Sequence, residues 1–214
     1  MVKRTAVNRL LTAVAVLSSG VGLASAQERI NTLTPGESSE GWTLLFDGKT
    51  MKGWEARPTF VPESKGDWKV ENGSLVCGGT TPSWLHTEAS FSDYRLTLEF
   101  RGPEKVNSGV FLRSQKEGEP HRTGYELQIW DYQPAGFNTG SLVGSLKASP
   151  TKIRPDQWNM YEITADGDRF VIVLNGKTLL DAREAAHRAG VIGFQCQKDQ
   201  RIEFRNIKVR PIQK

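Results

Sequence analysis

The sequence predicts an all-β protein built as a sandwich of two sheets. Three observations support this prediction: short segments that alternate apolar and polar residues, turn signals between them, and almost no helical periodicity. The clearest segment is 93–101 (DYRLTLEFR), where Tyr94, Leu96, Leu98 and Phe100 point to one side of a strand. Asn175-Gly176 is the strongest turn signal, because Asn-Gly favours the tight turn of a hairpin. Ten or more such strands are typical of a sandwich.

Further strands are predicted wherever β-branched, aromatic and long apolar residues run for four to eight positions. A second Asn-Gly pair, Asn72-Gly73, predicts a hairpin between two early strands. One segment, 182–189, suggests a helix of about two turns. The other predicted strands are 42–46, 67–70, 74–77, 110–112, 125–130, 141–147, 158–164, 170–174, 177–180, 191–196 and 201–209.

The first 26 residues have the pattern of a cleavable signal peptide. Lys3, Arg4 and Arg9 supply the positive start, and an apolar run follows that is short for a membrane span. Ala24-Ser25-Ala26 matches a small-residue cleavage site, so the mature chain is expected to begin at Gln27. An uncleaved membrane anchor is the alternative. We therefore expect a secreted or periplasmic protein of bacterial type.

The mature chain is expected to hold one domain. Residues 27–40 are polar without an apolar period and are expected to be a flexible lead-in, so the domain covers 41–214. The signal segment carries three of the 28 Lys and Arg and none of the 24 acidic residues, which leaves a net charge of +1. A balanced charge without basic clusters argues against nucleic acid as a partner, and no mature segment is long and apolar enough for a membrane. The oligomeric state is not predicted.

The two cysteines, Cys77 and Cys196, lie in apolar segments far apart in the sequence. In an oxidising compartment they could form a disulfide; two buried free thiols are an equal alternative. Their spacing does not resemble a zinc site.

Chemistry-bearing residues concentrate between Asn107 and Asp131, in two predicted strands joined by a polar loop. Alternation places Asn107, Phe111 and Arg113 on one face of the first strand, and Glu126, Gln128 and Trp130 on one face of the second. If these faces coincide, a cation, a carboxylate and an amide meet beside an indole ring. Such a set suits a sugar, since polar groups bind hydroxyls and a ring covers the apolar C–H face. A surface ion pair between Arg113 and Glu126 beside a core Trp is the alternative.

The ordered blocks of the chain resemble the bacterial 3-keto-disaccharide hydrolase domain. They are GWTLLFDGKTMKGW (41–54), DYRLTLEFR (93–101), NSGVFLR (107–113), GYELQIWD (124–131), WNMYEI (158–163), the LNG hairpin (174–176) and GVIGFQCQKDQRIEFRNIKV (190–209). The resemblance implies a concanavalin A-like jelly roll that acts on glycosides oxidised at C3. One departure is Val143, where the family often has Tyr before the glycine.

A C3 ketone acidifies the hydrogen on C2, so removing that proton lets the C1 glycosidic bond leave by β-elimination, after which water adds to the alkene. The reaction needs a base near C2, a donor to the ketone and an acid for the leaving oxygen. Glu126 is the predicted base, and its alternative role is to bind sugar hydroxyls. Asp131 and His86 are the further catalytic candidates, as the leaving-group acid and as a proton shuttle, although a turn-capping Asp and an ordinary surface His are the simpler readings. His121, in a loop, ranks below His86.

The predicted substrate-binding residues are Arg113, Gln128, Trp130 and Asn107. Arg113 stabilises the enolate or pairs with Glu126, and Trp130 stacks on the sugar ring or belongs to the core. Asn107 is expected to shape the entry to the NSG segment. No cofactor is expected; a divalent metal shared by Glu126 and Asp131 is conceivable, but their strand parity differs.

Two other functions remain open from the sequence. One is a non-catalytic carbohydrate-binding module, since one fold serves many functions. The other is a retaining β-glucanase with an E-x-D-x-x-E strand. In this chain Glu126, Gln128 and Asp131 occupy those three places, so the paired carboxylates of a retaining mechanism are missing.

Overall fold

A computed structural model of the protein describes residue 1, residues 30–59 and residues 66–213. The predicted signal peptide, apart from Met1, and the first residues of the lead-in lie outside the described residues. Within the described part, the elements in chain order are α1 (Pro35–Ser39), β1 (Thr43–Leu44), β2 (Trp54–Pro58), β3 (Lys69–Glu71), β4 (Ser74–Cys77), β5 (Ser83–Phe91), β6 (Tyr94–Arg101), β7 (Ser108–Ser114), α2 (Pro120–Thr123), β8 (Tyr125–Ile129), β9 (Asn159–Asp166), β10 (Arg169–Leu174), β11 (Lys177–Arg183), β12 (Gly190–Cys196) and β13 (Ile202–Pro211).

The strands form two antiparallel sheets, as the sequence predicts. The larger sheet has eight strands in the order β11-β10-β9-β6-β13-β4-β3, with β1 also paired to β13. The smaller sheet has five strands in the order β2-β5-β12-β7-β8. Neither sheet follows chain order, since β13 returns to the middle of the larger sheet and β12 to the middle of the smaller one. The consecutive strands β12 and β13 therefore lie in different sheets, as do β1 and β2.

The core lies between the sheets and is almost entirely apolar. The larger sheet contributes the predicted alternating residues of β6, of which Tyr94, Leu96, Leu98 and Phe100 are buried. The smaller sheet contributes Leu85, Val110, Leu127 and Phe194, among others. Phe194 stacks on Phe204 across the sheets, with ring centroids 4.1 Å apart. Burial of these side chains is the main source of stability.

Cys77 on β4 and Cys196 on β12 form a disulfide between the two sheets, with a Cα–Cα distance of 6.0 Å. This distance lies in the usual range for disulfides. Of the two alternatives left open by the sequence, the structure has the disulfide. It closes a loop of 119 residues.

Both predicted Asn-Gly hairpins are confirmed. Asn72 and Gly73 join β3 to β4 with φ angles of 49° and 76°, and Asn175 and Gly176 join β10 to β11 with φ angles of 50° and 79°. Positive φ at both central residues matches the twist of the flanking strands, which is why Asn-Gly is favoured there.

The flexibility of the lead-in stays a prediction, but its residues 30–40 contain a short helix and make contacts with β13. Asn31 and Asn206 exchange two hydrogen bonds between backbone N–H groups and side-chain carbonyls, at 2.5 and 2.9 Å. Thr34 and Glu37 form a capping box that begins α1. Lys208 then pairs with Glu37 at 2.7 Å. These contacts fasten a polar segment that the apolar pattern could not place.

The predicted helix at 182–189 is also wrong. β11 runs through Arg183, and the residues that follow it up to β12 are irregular. Strand pairing of Ala182 with Phe170 overrides the local helical preference. No helix among the described residues is long and apolar enough to cross a bilayer.

Candidate active site on the outer face of the five-stranded sheet

The outer face of the five-stranded sheet carries a second, separate set of buried side chains. Trp84, Phe111 and Val191 form an apolar cluster there, apart from the main core. Alternation along the strands places polar side chains beside them, because their neighbours in sequence point into the sandwich. One row across the sheet is set by register: Glu55, His86, Gly193, Phe111 and Glu126 are successive cross-strand neighbours from β2 to β8.

Glu126 is the carboxylate of this face and is almost completely buried, with 7% of its surface exposed. Burial raises the pKa of Glu126 to about 7, and a hydrogen bond from the side chain of Gln195 acts in the opposite direction. A carboxyl group that titrates near neutral pH can both take and return a proton. Glu126 therefore has the properties of a general base.

Two glycines allow the site's side chains to lean over the sheet. A Cβ atom on Gly109 would lie 3.0 Å from Cγ and 3.1 Å from Oε1 of Glu126, so the carboxylate extends over β7. A Cβ atom on Gly193 would lie 2.8 Å from Cε3 of Trp84, so the indole extends over β12. Both side chains thus lean towards the middle of the sheet, where larger residues would exclude them.

A methyl group at position 109 is expected to impair activity through Glu126. In Gly109→Ala the added carbon meets the Glu126 side chain and the carbonyl oxygen of Leu127 at 3.2 Å, so the carboxylate must shift. If Glu126 acts as a base, kcat should fall about tenfold or more, because small displacements of a catalytic group are costly. Steady-state kinetics measures this loss. Gly36→Ala is the control, since its methyl meets Thr34 Oγ1 at only 3.9 Å; equal activity of Gly109→Ala and Gly36→Ala would contradict the account.

His86 lies on the same face and is fully buried. Its Nδ1 lies 2.9 Å from the carbonyl oxygen of Thr87, which can only accept, so Nδ1 carries the proton and Nε2 is the free acceptor. Nε2 has no hydrogen-bond partner and lies 3.9 Å from Glu55 Oε2. Burial lowers the pKa of His86, so the ring is neutral at neutral pH. The ring packs against Trp84, with centroids 4.5 Å apart.

The prediction that Arg113 shares this face and pairs with Glu126 is wrong. Between Phe111 and Ser114, β7 has one residue more than β12 opposite it, and Arg113 adopts a φ of 56°. Such a bulge breaks the alternation on which the prediction depended. The Arg113 side chain consequently enters the end of the sandwich, fully buried.

There the Arg113 guanidinium joins three chain segments. It donates to the carbonyl oxygens of Ser92 (2.8 Å), Gly167 (2.7 Å) and His187 (3.2 Å), and to Asp93 Oδ1 at 3.1 Å. These partners satisfy the charge and fix the end of the sandwich. The role of Arg113 is therefore structural.

Of the other predicted substrate-binding residues, one lies on the outer face of the five-stranded sheet and two lie at its edge. Gln128 is buried on the Glu126 face, and its Oε1 accepts a hydrogen bond from the Ile129 N–H at 3.2 Å. Trp130 lies just after β8 and is half-buried, so its stacking role stays a prediction. The Asn107 N–H donates to Gln200 Oε1 at 3.3 Å, in the segment that leads into β7.

Asp131 anchors the loop that follows β8. Its carboxylate accepts hydrogen bonds from Thr139 Oγ1 (2.6 Å) and from the Ile153 N–H (3.1 Å). These contacts fit the turn-capping alternative. His121 lies outside this face, 3.4 Å from Glu119.

Sequence reasoning missed Trp84, Gln195 and Glu55. The predicted strands omitted β2 and β5, which carry Glu55 and Trp84. β5 is buried on both faces in its first half and exposed in its second, so it shows no regular alternation. A usable signal was present in Gly193 and Gln195, which alternate with Ile192 and Phe194 of the core.

Features elsewhere in the described residues fit a site less well. A depression of about 750 Å³ lies on the outer face of the larger sheet, but two of its arginines are already paired, Arg169 with Asp181 and Arg210 with Glu40. Among the described residues, three potential metal ligands come together at Asp67, Cys77 and Cys196, where the disulfide uses both sulfur atoms. We therefore place the candidate site on the five-stranded sheet.

The two antiparallel sheets form a jelly-roll sandwich, and solved structures share this fold. Two candidate glycosyl hydrolases from Parabacteroides distasonis ATCC 8503 are similar. One has 22% identity and a TM-score of 0.73 over 86% of this chain and all of that one, and the other has 23% identity and a TM-score of 0.65 over 80% and 99%. The carbohydrate-binding module CBM66 from Bacillus subtilis has 20% identity and a TM-score of 0.56 over 73% and 94%. These structures confirm the predicted concanavalin-type jelly roll.

Residues 41–210 match the model of the 3-keto-alpha-glucoside-1,2-lyase-like domain. The chain belongs to this family, as its ordered sequence blocks predict. No functionally curated protein matches the chain in sequence. Val143, which replaces the family's frequent Tyr, lies beside the site, because its N–H donates to the Glu126 carbonyl oxygen at 2.9 Å.

Proposed function

We propose that the protein cleaves 3-keto-glycosides by removing the C2 proton, eliminating the C1 substituent and adding water to the product. The observation that carries this proposal is Glu126, a buried carboxylate on a polar sheet face with a pKa of about 7. Membership of the family supports the substrate class. The substrate is a sugar whose C3 hydroxyl has been oxidised to a ketone.

In the first step Glu126 takes the hydrogen on C2 as a proton. The electron pair of that C–H bond forms the C1=C2 double bond, with the C3 ketone delocalising the developing charge, and the C1–O bond to the leaving group breaks. The leaving oxygen receives a proton, and protonated Glu126 can supply it because its pKa lies near neutrality. Elimination is then complete without a second carboxylate.

In the second step water adds at C1 and a proton returns to C2. His86 is suited to this step, since its Nε2 is an unprotonated acceptor that can take a proton from water. Three strand spacings separate His86 from Glu126, or about 14 Å between their backbones. A single ligand that contacts both side chains therefore has to span β7 and β12.

The rate is expected to depend on the ionisation of Glu126. Because the base works only when deprotonated, kcat/KM should rise with pH through about 7 and level off above it. A pH–rate profile with a 3-keto-glucoside that carries a chromogenic leaving group measures this. A profile that is flat between pH 5 and pH 9 would contradict the proposal.

The raised pKa of Glu126 should also affect the stability of the protein. The pKa of Glu126 is raised in the folded state above its ordinary value of 4.5, so the folded protein holds a proton that the unfolded chain loses. The free energy of unfolding should therefore decrease as pH rises from about 4.5 to about 7. Measured by chemical denaturation, the free energy of unfolding should fall with pH in this window for the parent protein but not for Glu126→Gln. An equal dependence on pH in both proteins would show that the Glu126 pKa is not raised.

Non-catalytic carbohydrate binding is the second candidate function, because the CBM66 module shares the fold over most of its length. Binding of glycans without turnover of any 3-keto-glycoside would favour it. We also propose that the protein is exported. The signal-peptide pattern of residues 1–26 and the Cys77–Cys196 disulfide both support an oxidising compartment.

A further inference from the structure

Two side-chain atoms on the candidate face are buried and lack any hydrogen-bond partner: His86 Nε2 and Gln195 Oε1. Unpaired buried polar atoms are rare in proteins and commonly mark places where water or a ligand binds. His86 already has a role in the proposed mechanism. Gln195 has none, although it adjoins Glu126.

Gln195 is held in place by its own strand. Its carbonyl oxygen accepts a hydrogen bond from Ser108 Oγ at 2.6 Å, and its residue pairs with Trp84 on β5. The side chain is 5% exposed. The backbone of Gln195 is therefore fully engaged, and the side-chain oxygen Oε1 is buried without a partner.

The orientation of the Gln195 amide follows from its neighbour. Glu126 extends over Gly109 towards β12, where the Gln195 side chain lies beside the carboxylate and favours its ionised form, lowering the pKa. An ionised carboxylate only accepts, so the NH₂ group must face Glu126. Oε1 then faces away from the carboxylate and needs a donor. A sugar hydroxyl is such a donor, whereas the C3 ketone of the substrate is not.

We propose that Gln195 positions Glu126 through its NH₂ group and accepts a hydrogen bond from a substrate hydroxyl through Oε1. This inference rests on the proposed function. It makes Gln195 a specificity-determining residue that ties correct sugar binding to the alignment of the base. A ligand without the contacted hydroxyl leaves a buried acceptor unpaired, which is the strongest form of discrimination against close analogues.

The positioning role is tested in the protein without substrate. A pH titration of carboxyl ¹³C resonances, with Glu126 identified by its loss in Glu126→Gln, reports the Glu126 pKa directly. Removing a hydrogen bond that favours the ionised form should raise this pKa by about one pH unit in Gln195→Leu. Gln157→Leu, which removes an exposed amide, is the control and should cause no shift. An unchanged pKa in Gln195→Leu would overturn the positioning role.

The measured Glu126 pKa is not complicated by charged groups close to it on the sheet. Gly109 and Phe111, its neighbours on β7, carry none. The next titratable or charged groups on this sheet's described strands are His86 and the exposed Glu88 on β5 and Glu55 and Arg57 on β2, three and four strands away. Gln195→Met, of similar shape, replaces Gln195→Leu if the latter fails to fold.

The hydroxyl contact is tested with 2-deoxy, 4-deoxy and 6-deoxy analogues of a 3-keto-glucoside. Three of the four compounds keep the contacted hydroxyl, and one analogue lacks it. Gln195→Leu should lower kcat/KM for those three at least tenfold more than for the analogue that lacks the hydroxyl. Equal losses on all four compounds would overturn the contact. Unimpaired turnover by Glu126→Gln would instead overturn the proposed function, while the ¹³C titration would still decide the positioning role.

Discussion

Glu126→Gln is expected to lower the rate of leaving-group release from a 3-keto-glucoside by about 10²–10⁴-fold, which is the usual contribution of a general base. The amide cannot accept the C2 proton, but it has nearly the same shape and still fits between Gly109 and Gln195. Because burying a neutral amide avoids burying a charge, the variant should be at least as stable as the parent near pH 8. Initial rates at pH 8, with circular dichroism of the same samples, measure both effects.

Glu162→Gln is the matched control for this loss. Glu162 lies on the exposed outer face of the larger sheet, so the same chemical change there should leave the rate unaltered. If Glu126→Gln turns over within threefold of the parent rate, Glu126 is not the base. A comparable loss in Glu162→Gln would show that the assay reports something other than the site.

Arg113→Met is expected to lower the free energy of unfolding by about 3–5 kcal/mol, as the loss of one partner of a buried ion pair does. The fully buried guanidinium satisfies the carbonyl oxygens of Ser92, Gly167 and His187 and pairs with Asp93. Met cannot donate to any of them, and each buried acceptor left unpaired costs about 1–3 kcal/mol. Urea denaturation at constant pH measures the change.

Activity separates this structural role from a catalytic one. Folded Arg113→Met should retain kcat within a few-fold, since Arg113 lies at the end of the sandwich and away from the outer face. If Arg113 stabilised the enolate, kcat would instead fall by 10² or more while stability changed little. Arg95→Met, at an exposed position on the larger sheet, should change neither quantity.

The larger part of the fold could be predicted from periodicity and turn chemistry. β6 and both Asn-Gly hairpins follow local rules, because each depends on residues close in the chain. β2 and β5 could not be predicted from an alternating pattern. The first half of β5 is buried on both faces and its second half is exposed, because neighbouring parts of the fold cover only the first half. Residues 30–40 contact partners such as Asn206, 175 residues away, which local patterns do not show.

The positions of candidate site residues could be predicted where side chains alternate regularly along a strand. The prediction failed where a bulge breaks that alternation. Glu126 and Gln128 share the outer face because β8 is a regular strand. Arg113 does not, because one additional residue in β7 turns its side chain inward, and a non-glycine residue with positive φ gives little warning in sequence. Gln195 and Trp84 reach Glu126's face through strand pairing over long sequence distances, and only the assembled sheet brings them together.

The most direct test of the account is the fate of the C2 hydrogen. The protein is incubated in D₂O with a 3-keto-glucoside and, separately, with its unoxidised parent glucoside, and both sugar products are examined by NMR. The proposed mechanism requires release from the keto compound alone, with deuterium at C2 of the hydrated product, and neither release nor deuterium with Glu126→Gln. Equal cleavage of both glucosides with hydrogen retained at C2 would contradict it.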